Sequence, residues 1–211
     1  CWVVGAQGLR RSQQAIKRAV DIALASVAVT LAAPVLLLCA VAIKLESPGP
    51  VIYRQMRYTT GNRLFSCYKL RTMHASRPDE TGIRLTQRKD SRVTRIGAFL
   101  RRTSLDEVPQ FFNVLQGHMS VVGPRPHPPG VKAGERTYEE VVADFSDRYA
   151  VKPGITGWAQ VSGLRGNTFN EDLLQRRFEH DVEYIRNWSL SFELLIIMKT
   201  AWGGFGGENA F

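Results

Sequence analysis

Hydrophobic positions are unevenly distributed along this chain, and one run dominates. Ile22 to Ile43 carries no charged side chain, lies between Lys17-Arg18 and Lys44, and contains a single proline, Pro34. As α-helix at ~1.5 Å per residue the run reaches ~33 Å, enough to cross a hydrocarbon core of ~30 Å. Yet positive charge marks both ends, and basic flanks tend to stay on the cytoplasmic side. Pro34 lacks an N–H, so the Thr30 carbonyl loses its helical partner and a bend there is favoured. A helical hairpin folded at Pro34 would dip in and return both basic flanks to one face, with Thr30 or Ser26 bonding the freed backbone group. A spanning helix with a proline kink accounts for the same residues. A cleavable signal peptide does not: the run is longer than a typical h-region, and Lys44-Leu45-Glu46 is a poor cleavage site.

Beyond the breakers Ser47-Pro48-Gly49-Pro50 the pattern changes. Val51 to Arg57 and Leu64 to Lys69 read as strands of a β-hairpin that turns at Thr60-Gly61-Asn62. Ser76 to Ser91 is polar and irregular, as in a loop. From Arg92 to Thr103, Val93, Ile96, Leu100 and Thr103 share a helical face with Arg95 and Arg102 beside it. Such a cationic face suits anionic headgroups or plain solvent. A short helix follows at Phe111 to Leu115 and stops at Gly117. Gly123-Pro124-Arg125-Pro126 and Pro128-Pro129-Gly130 predict a stiff irregular loop. Glu135 to Tyr149 is predicted helical, and Lys152 to Trp158 rich in turns. Leu174, Phe178, Val182 and Ile185 form a core stripe on one helix. Phe192 to Trp202 is apolar but too short to span, which predicts an interfacial helix with Trp188 and Trp202 at headgroup depth. The expected architecture is α+β and mostly helical. Residues 1–50 form a basic lead-in and a membrane element broken at Pro34, and residues 51–211 form a small domain with a short β-hairpin and interfacial amphipathic helices.

Charge narrows the partners. Lys and Arg number 28 against 19 Asp and Glu, a net +9 that suits anionic lipid, nucleic acid or phosphorylated substrates. Nucleic acid fits poorly, because the cations are not interleaved with aromatics in a recognition motif and the membrane run has no purpose there. Cys1, Cys39 and Cys67 are too few and scattered for a disulfide framework or a zinc site. His74, His118, His127 and His180 lack ligand spacing and are assigned to local structure or the solvent face. A reducing, cytoplasmic setting for the domain agrees with this usage. A chain beginning at Cys1 suggests a piece of something longer.

Three segments could carry chemistry. Ser104-Leu105-Asp106-Glu107 places two carboxylates side by side just after Arg101 and Arg102. Ser-x-x-Glu is also a capping box, in which Glu107 would only bond the Ser104 N–H. Pro109, however, favours a helix beginning near Val108. Under either start, Asp106 lies near unpaired N–H groups able to hold a phosphate. Arg125 offers a guanidinium fork on a stiff loop, matched to phosphate or simply exposed on a turn. Lys69 and Arg71 fall on one side of an extended segment, where they would line an anionic pocket or protect an edge strand.

Taken in order behind the proline-broken run, these segments resemble the bacterial sugar transferases, the monotopic polyprenyl-phosphate hexose-1-phosphate transferases. The likeness covers nearly everything from Lys17 to Phe211. It rests on Lys17-Arg18-Ala19-Val20-Asp21, Ser47-Pro48-Gly49-Pro50-Val51, Lys69-Leu70-Arg71-Thr72-Met73, Thr103-Ser104-Leu105-Asp106-Glu107-Val108-Pro109-Gln110, Asn113-Val114-Leu115, Met119 to Pro126 and Lys152 to Gln160.

The resemblance implies an Asp106-Glu107 dyad with Asp106 as nucleophile. It would attack the β-phosphorus of a UDP-hexose, expel UMP and pass the phosphosugar to undecaprenyl phosphate, starting assembly of an exopolysaccharide, capsule or O-antigen type glycan. Glucose is the preferred sugar and galactose the second choice, from Gly163-Leu164-Arg165-Gly166 and the ending Glu208-Asn209-Ala210-Phe211. Mg²⁺ held by Asp106 or Glu107, with Lys69, Arg71, Arg101 and Arg125 near the phosphates, would offset the repulsion between a carboxylate and a diphosphate. The implied setting is the bacterial inner membrane, catalytic domain on the cytoplasmic face and the apolar run as a re-entrant hairpin, with a homo-oligomer open. Relatives often place serine before the breaking proline; here Ala33 leaves more of that duty to Thr30. The rival reading is a non-catalytic adaptor that binds anionic lipid and uses Asp106-Glu107 only as a cap.

Overall fold

The apolar run lies within one helix, α1, Arg11–Glu46, and Pro34 is inside it. The computed structural model describes residues 8–74, 90–164, 166, 168 and 170–203. Most of the loop expected at Ser76 to Ser91, and the chain's final residues, lie outside that set. Local helix formation therefore continues through the proline instead of stopping on either side of it. Thr30 does not serve the break as expected: its hydroxyl donates to the Ser26 carbonyl at 2.9 Å, one turn earlier than the freed Thr30 carbonyl.

Both ends of α1 are fastened to the rest of the chain. Near its start, Lys17 donates to the Val122 carbonyl (3.0 Å) and pairs with Glu193, and Arg18 donates to the carbonyls of Val114 and Leu115. Asp21 accepts from Ser120 Oγ and the Val121 N–H, each at 2.9 Å. Near its end, Glu46 accepts from the N–H groups of Arg95 and Ile96, while Cys39 and Ile43 pack on Leu70 and Leu100. The stretch between is open. Val27, Leu31, Leu37, Leu38 and Val41 are exposed, an apolar surface that water does not tolerate without a covering phase.

The chain then forms β1, Ile52–Thr59, and β2, Arg63–Leu70, an antiparallel hairpin in register from Ile52↔Leu70 to Thr59↔Arg63. Its turn needs positive φ at Gly61 and Asn62, which glycine and asparagine accept. The expected hairpin is present. Helices α2, Arg95–Thr103, and α3, Gln110–Leu115, follow, the first capped by Thr94 Oγ1 accepting from the Gly97 N–H. Strand β3, Ser120–Val122, pairs in parallel with β6, Gly154–Thr156. That pairing was not expected, because each strand is three residues long and one lies in a Pro-Gly stretch. A Cβ on Gly154 would fall 2.1 Å from the Gly123 nitrogen, so only glycine permits this approach.

The helix expected over Glu135 to Tyr149 is a correction. The segment opens in a small hairpin of β4, Lys132–Ala133, and β5, Arg136–Thr137, and continues as a single turn, α4, Tyr138–Val141. Val142 is extended, and a 3₁₀ segment, Phe145–Ala150, ends the stretch. Paired β-branched Val141 and Val142 disfavour helix, and Phe145 instead buries its ring against Tyr138 and His127.

Helix α5, Trp158–Val161, leads to α6, Glu171–Arg186, whose Leu174, Val182 and Ile185 are buried as the stripe predicts. The last helix, α7, Leu190–Gly203, buries Glu193 and Ile196 but exposes Leu194, Leu195, Met198 and Trp202 (96% exposed). Trp188 is half-buried. Its Nε1 donates inward to Glu193 at 2.7 Å.

Glu193 is thus the acceptor for Lys17, the Tyr184 hydroxyl and Trp188, at 2% exposure. Removing one partner of a buried pair strands the other charge. Glu193→Ala is expected to lower stability by ~3–5 kcal/mol, read as a lower urea midpoint in detergent, by detaching the start of α1 from α7.

Candidate active site

The carboxylate pair sits where α2 ends. Ser104 adopts the left-handed conformation (φ 57°, ψ 15°), and its N–H bonds the Arg101 carbonyl, which terminates that helix. Leu105–Glu107 is a 3₁₀ turn leading to Pro109 and α3. The capping-box reading of Glu107 fails here, since Ser104 makes no side-chain cap bond and its N–H goes to the Arg101 carbonyl.

Glu107 reaches across to two cations instead. Lys69 Nζ lies 2.8 Å from Oε1, Arg125 Nη2 is 2.5 Å from the same oxygen, and Arg125 Nη1 is 3.1 Å from Oε2. Burial opposes the Glu107 charge, but Arg125 and Lys69 outweigh it and hold the carboxyl well below its ordinary range. Asp106 is buried too, at 8% exposure, yet has no hydrogen-bond partner among the described residues. Burial raises its pKa and neighbouring Glu107 adds to the rise, against the attraction of Lys69, Arg101 and Arg125. The two carboxyls are therefore unequal: one is locked as an anion, the other is free and desolvated.

Each cation is positioned by its own support. Lys69 lies near the end of β2, whose edge is fixed by Asn113 of α3: its Oδ1 accepts from the Tyr68 N–H (2.9 Å) and its Nδ2 donates to the Ser66 carbonyl (2.8 Å). Arg101 donates through Nε to Thr72 Oγ1 at 2.8 Å, and α2 can sit so close because a Cβ on Gly97 would meet the Thr72 oxygen at 2.0 Å. Arg125 stands on the Gly123–Pro126 loop, three of whose carbonyls are held: Pro124 accepts from the Gly154 N–H, Arg125 from Arg148 (2.9 Å) and Pro126 from Arg57 (2.6 Å).

Asp106, Glu107, Lys69, Arg101 and Arg125 thus converge. Arg71 does not join them. The chain leaves β2 at Leu70, and the Arg71 guanidinium turns to the carbonyls of Ile43, Ser47 and Pro48, clamping the end of α1. Pro34 is likewise remote from the dyad, within α1.

Arg57 and Arg148 escaped the sequence reading. A signal existed for Arg57: Gln55, Arg57 and Thr59 alternate along β1 and all face inward, a polar parity unusual for a core side. Arg148 lay in the stretch misread as helix.

A divalent cation is compatible with part of this donor set. Mg²⁺ needs only one or two protein carboxylates beside substrate phosphates and water, and the unbonded Asp106 oxygens meet that requirement. Both Glu107 oxygens are occupied by Lys69 and Arg125, so Glu107 could ligate a metal only by releasing one of them. No cluster of three or more His, Cys, Asp or Glu side chains occurs among the described residues.

The "Bacterial sugar transferase" family model matches residues 12–207. The chain belongs to the bacterial sugar transferase family. Over 196 residues it is 47% identical to the UDP-glucose:undecaprenyl-phosphate glucose-1-phosphate transferase of Escherichia coli K12, covering 93% of this chain and 41% of that protein. The similarly named protein of Caulobacter vibrioides is 46% identical, over 92% of this chain and 72% of its own length. A UDP-N-acetylgalactosamine-undecaprenyl-phosphate N-acetylgalactosaminephosphotransferase of Aeromonas hydrophila is 43% identical, over 88% and 42%. This sugar transferase chain therefore spans about two fifths of the Escherichia coli relative, and every described residue except 8–11 falls inside the family match.

His127 gives the site a pH limit. It lies two residues beyond Arg125, beside Arg148, Glu139, Tyr149 and Tyr58, and burial lowers its pKa to about 4 despite its contact with Glu139. An unfolded imidazole takes a proton below ~6.5, so between that value and the folded one the unfolded chain binds more protons and stability falls with acid. Going from pH 7 to pH 4.5 should cost ~2–3 kcal/mol through this residue, and His127→Gln should flatten that part of the urea-midpoint profile.

Proposed function

We propose that this chain transfers glucose 1-phosphate from UDP-glucose to undecaprenyl phosphate and releases UMP, with Asp106 as the covalent nucleophile. One observation carries the assignment: of two adjacent carboxylates, Asp106 is the one without a hydrogen-bond partner among the described residues, and three cations stand close enough to act on its charge. An Asp106 oxygen attacks the β-phosphorus of the donor, the bond to the bridging oxygen breaks, and UMP leaves with that electron pair. A phosphate oxygen of the lipid then attacks the phosphorus held on Asp106, freeing the carboxylate and giving undecaprenyl diphosphate glucose. Two displacements predict ping-pong kinetics.

The chain's own residues account for the rest. Burial leaves Asp106 weakly solvated and so a stronger nucleophile once ionised, while Lys69, Arg101 and Arg125 offset its repulsion by the diphosphate. Glu107 keeps Lys69 and Arg125 aimed at one point. Asp106 would be the residue to hold Mg²⁺, and the ion would supply positive charge to offset the negative charge developing on the donor phosphates. Glucose is favoured over galactose by the names of the Escherichia coli and Caulobacter relatives. Initiation of exopolysaccharide or a related glycan follows from a lipid-linked first sugar.

Residues 1–50 act as the membrane element and residues 51–211 as the cytoplasmic catalytic part, on the inner membrane of a bacterium. Opposite ends of α1 bond the same domain, at Val122 and Ser120 on one side and at Arg95 and Ile96 on the other. A domain cannot lie on both faces of a bilayer, which supports α1 bending at Pro34 to enter and leave by one face. The exposed apolar sides of α2 (Phe99), α3 (Phe112) and α7 (Leu194, Met198, Trp202) would rest at the same boundary, where the carrier's phosphate emerges.

Purified protein supplied with Mg²⁺, UDP-glucose and undecaprenyl phosphate should release UMP, and Asp106→Asn should abolish release without unfolding. With donor alone, intact-mass analysis should find a phosphohexose on the protein and none on that variant. For the membrane element, cysteines placed at Gln14 and Pro48 should both resist a membrane-impermeant reagent applied outside intact cells. Labelling of one of the two would establish a spanning helix.

A further inference from the structure

Behind the Arg125 loop lies a buried ionic triad that the reaction scheme leaves unused. Asp181, at 2% exposure, meets Arg148 with Nη2 and Oδ2 2.6 Å apart, and Arg177 stands one helical turn away on α6. The charges of both arginines act on Asp181, which burial nevertheless pushes up. Each arginine also holds backbone, Arg148 through the same Nη2 that faces Asp181. Arg148 donates to the Arg125 carbonyl, and Arg177 donates through Nη2 to the carbonyls of Leu164 (2.6 Å) and Gly166 (2.8 Å).

As a device for stability the triad is poorly made. Among the described residues Nε of Arg148, Nε of Arg177 and Oδ2 of Asp181 all lack a hydrogen-bond partner, so the Asp181–Arg148 contact is an ion pair without good alignment. Buried triads of this kind are often replaceable by apolar side chains at no loss of stability. What apolar replacements cannot reproduce is two guanidinium forks, fixed by one charge, that aim two separate loops.

We infer that Asp181 is a positioning residue that, through Arg148 and Arg177, sets the Arg125 loop and the backbone carbonyls of Leu164 and Gly166 relative to each other. The consequence for catalysis rests on the donor-phosphate role proposed above for Arg125; the positioning itself does not. Arg148 Nη2 meets both the Asp181 carboxylate and the Arg125 carbonyl while Nη1 lies 3.4 Å from His127 Nδ1; Arg148→Lys keeps a cation for Asp181 but loses the planar fork that holds these directions together.

Hydrogen–deuterium exchange and steady-state kinetics on the full chain in detergent test this. Arg148→Lys and Asp181→Asn should each speed exchange at least tenfold in peptides covering 123–127, and Asp181→Asn also in 163–168, with the β1–β2 hairpin unchanged. Both variants should raise KM for UDP-glucose at least tenfold while leaving KM for undecaprenyl phosphate within twofold. The combined variant Arg148→Met, Arg177→Met, Asp181→Leu should return the urea midpoint to near the parent value yet retain the donor defect. Unchanged exchange in 123–127 in folded Arg148→Lys overturns the inference. So does exchange rising uniformly across the chain, or normal donor KM in the combined variant. Altered exchange in 123–127 with no UMP release even from the parent protein would instead sink the functional proposal and leave the positioning role standing.

Discussion

Two neighbouring carboxylates in a buried turn cannot both be anions unless cations are divided between them, and the site depends on how this division is made. Lys69 and Arg125 are spent on Glu107, which lies on the side of the turn facing β2 and the Gly123–Pro126 loop. Asp106, one residue earlier, has their field without their hydrogen bonds. Sequence neighbours thereby acquire opposite pKa shifts, and with them different chemical uses. Every support around the dyad serves this asymmetry: Asn113 holds the β2 edge, Gly97 lets α2 settle on Thr72, and Arg57 and Arg148 fix the carbonyls that flank Arg125.

Much of this was legible in the residues because the signals are local. Alternation and Thr60-Gly61-Asn62 give the β1–β2 hairpin, and the four-residue stripe gives the buried face of α6. The dyad and its cations were found through ordered motifs, each ambiguous alone. Other features needed tertiary context. The β3–β6 pair joins two three-residue strands through a glycine contact that no periodicity announces. Lys69 and Arg71 share a side only while the strand lasts; at Arg71 the N–H bonds Val51 and the side chain swings to the end of α1. Glu107 resembled a cap because spacing cannot tell whether a serine makes the side-chain cap bond, and Ser104 does not.

The start of α1 is fixed to the same elements that carry the chemistry. Asp21 and Lys17 hold β3, which runs directly into the Arg125 loop, and Arg18 caps the carbonyl end of α3, the helix that follows the dyad. A membrane segment is usually an anchor, attached by a tether and indifferent to what it carries. Here the first turns of α1 are part of the frame on which the candidate site residues Asp106, Glu107 and Arg125 are set. Loss of that segment would therefore cost more than membrane attachment.

The clamp at the far end, where Arg71 and Glu46 fasten α1 after its apolar stretch, has a further consequence. A helix that must cross a bilayer is tuned to one hydrocarbon thickness and responds to others by tilting or by deforming lipid. A helix tied at both ends to a single domain has its depth of immersion set by that domain's geometry. If α1 enters and leaves by one face, as proposed, the height of Asp106 and its cations above the acyl chains is an internal property of the protein, preserved as lipid composition and membrane thickness change.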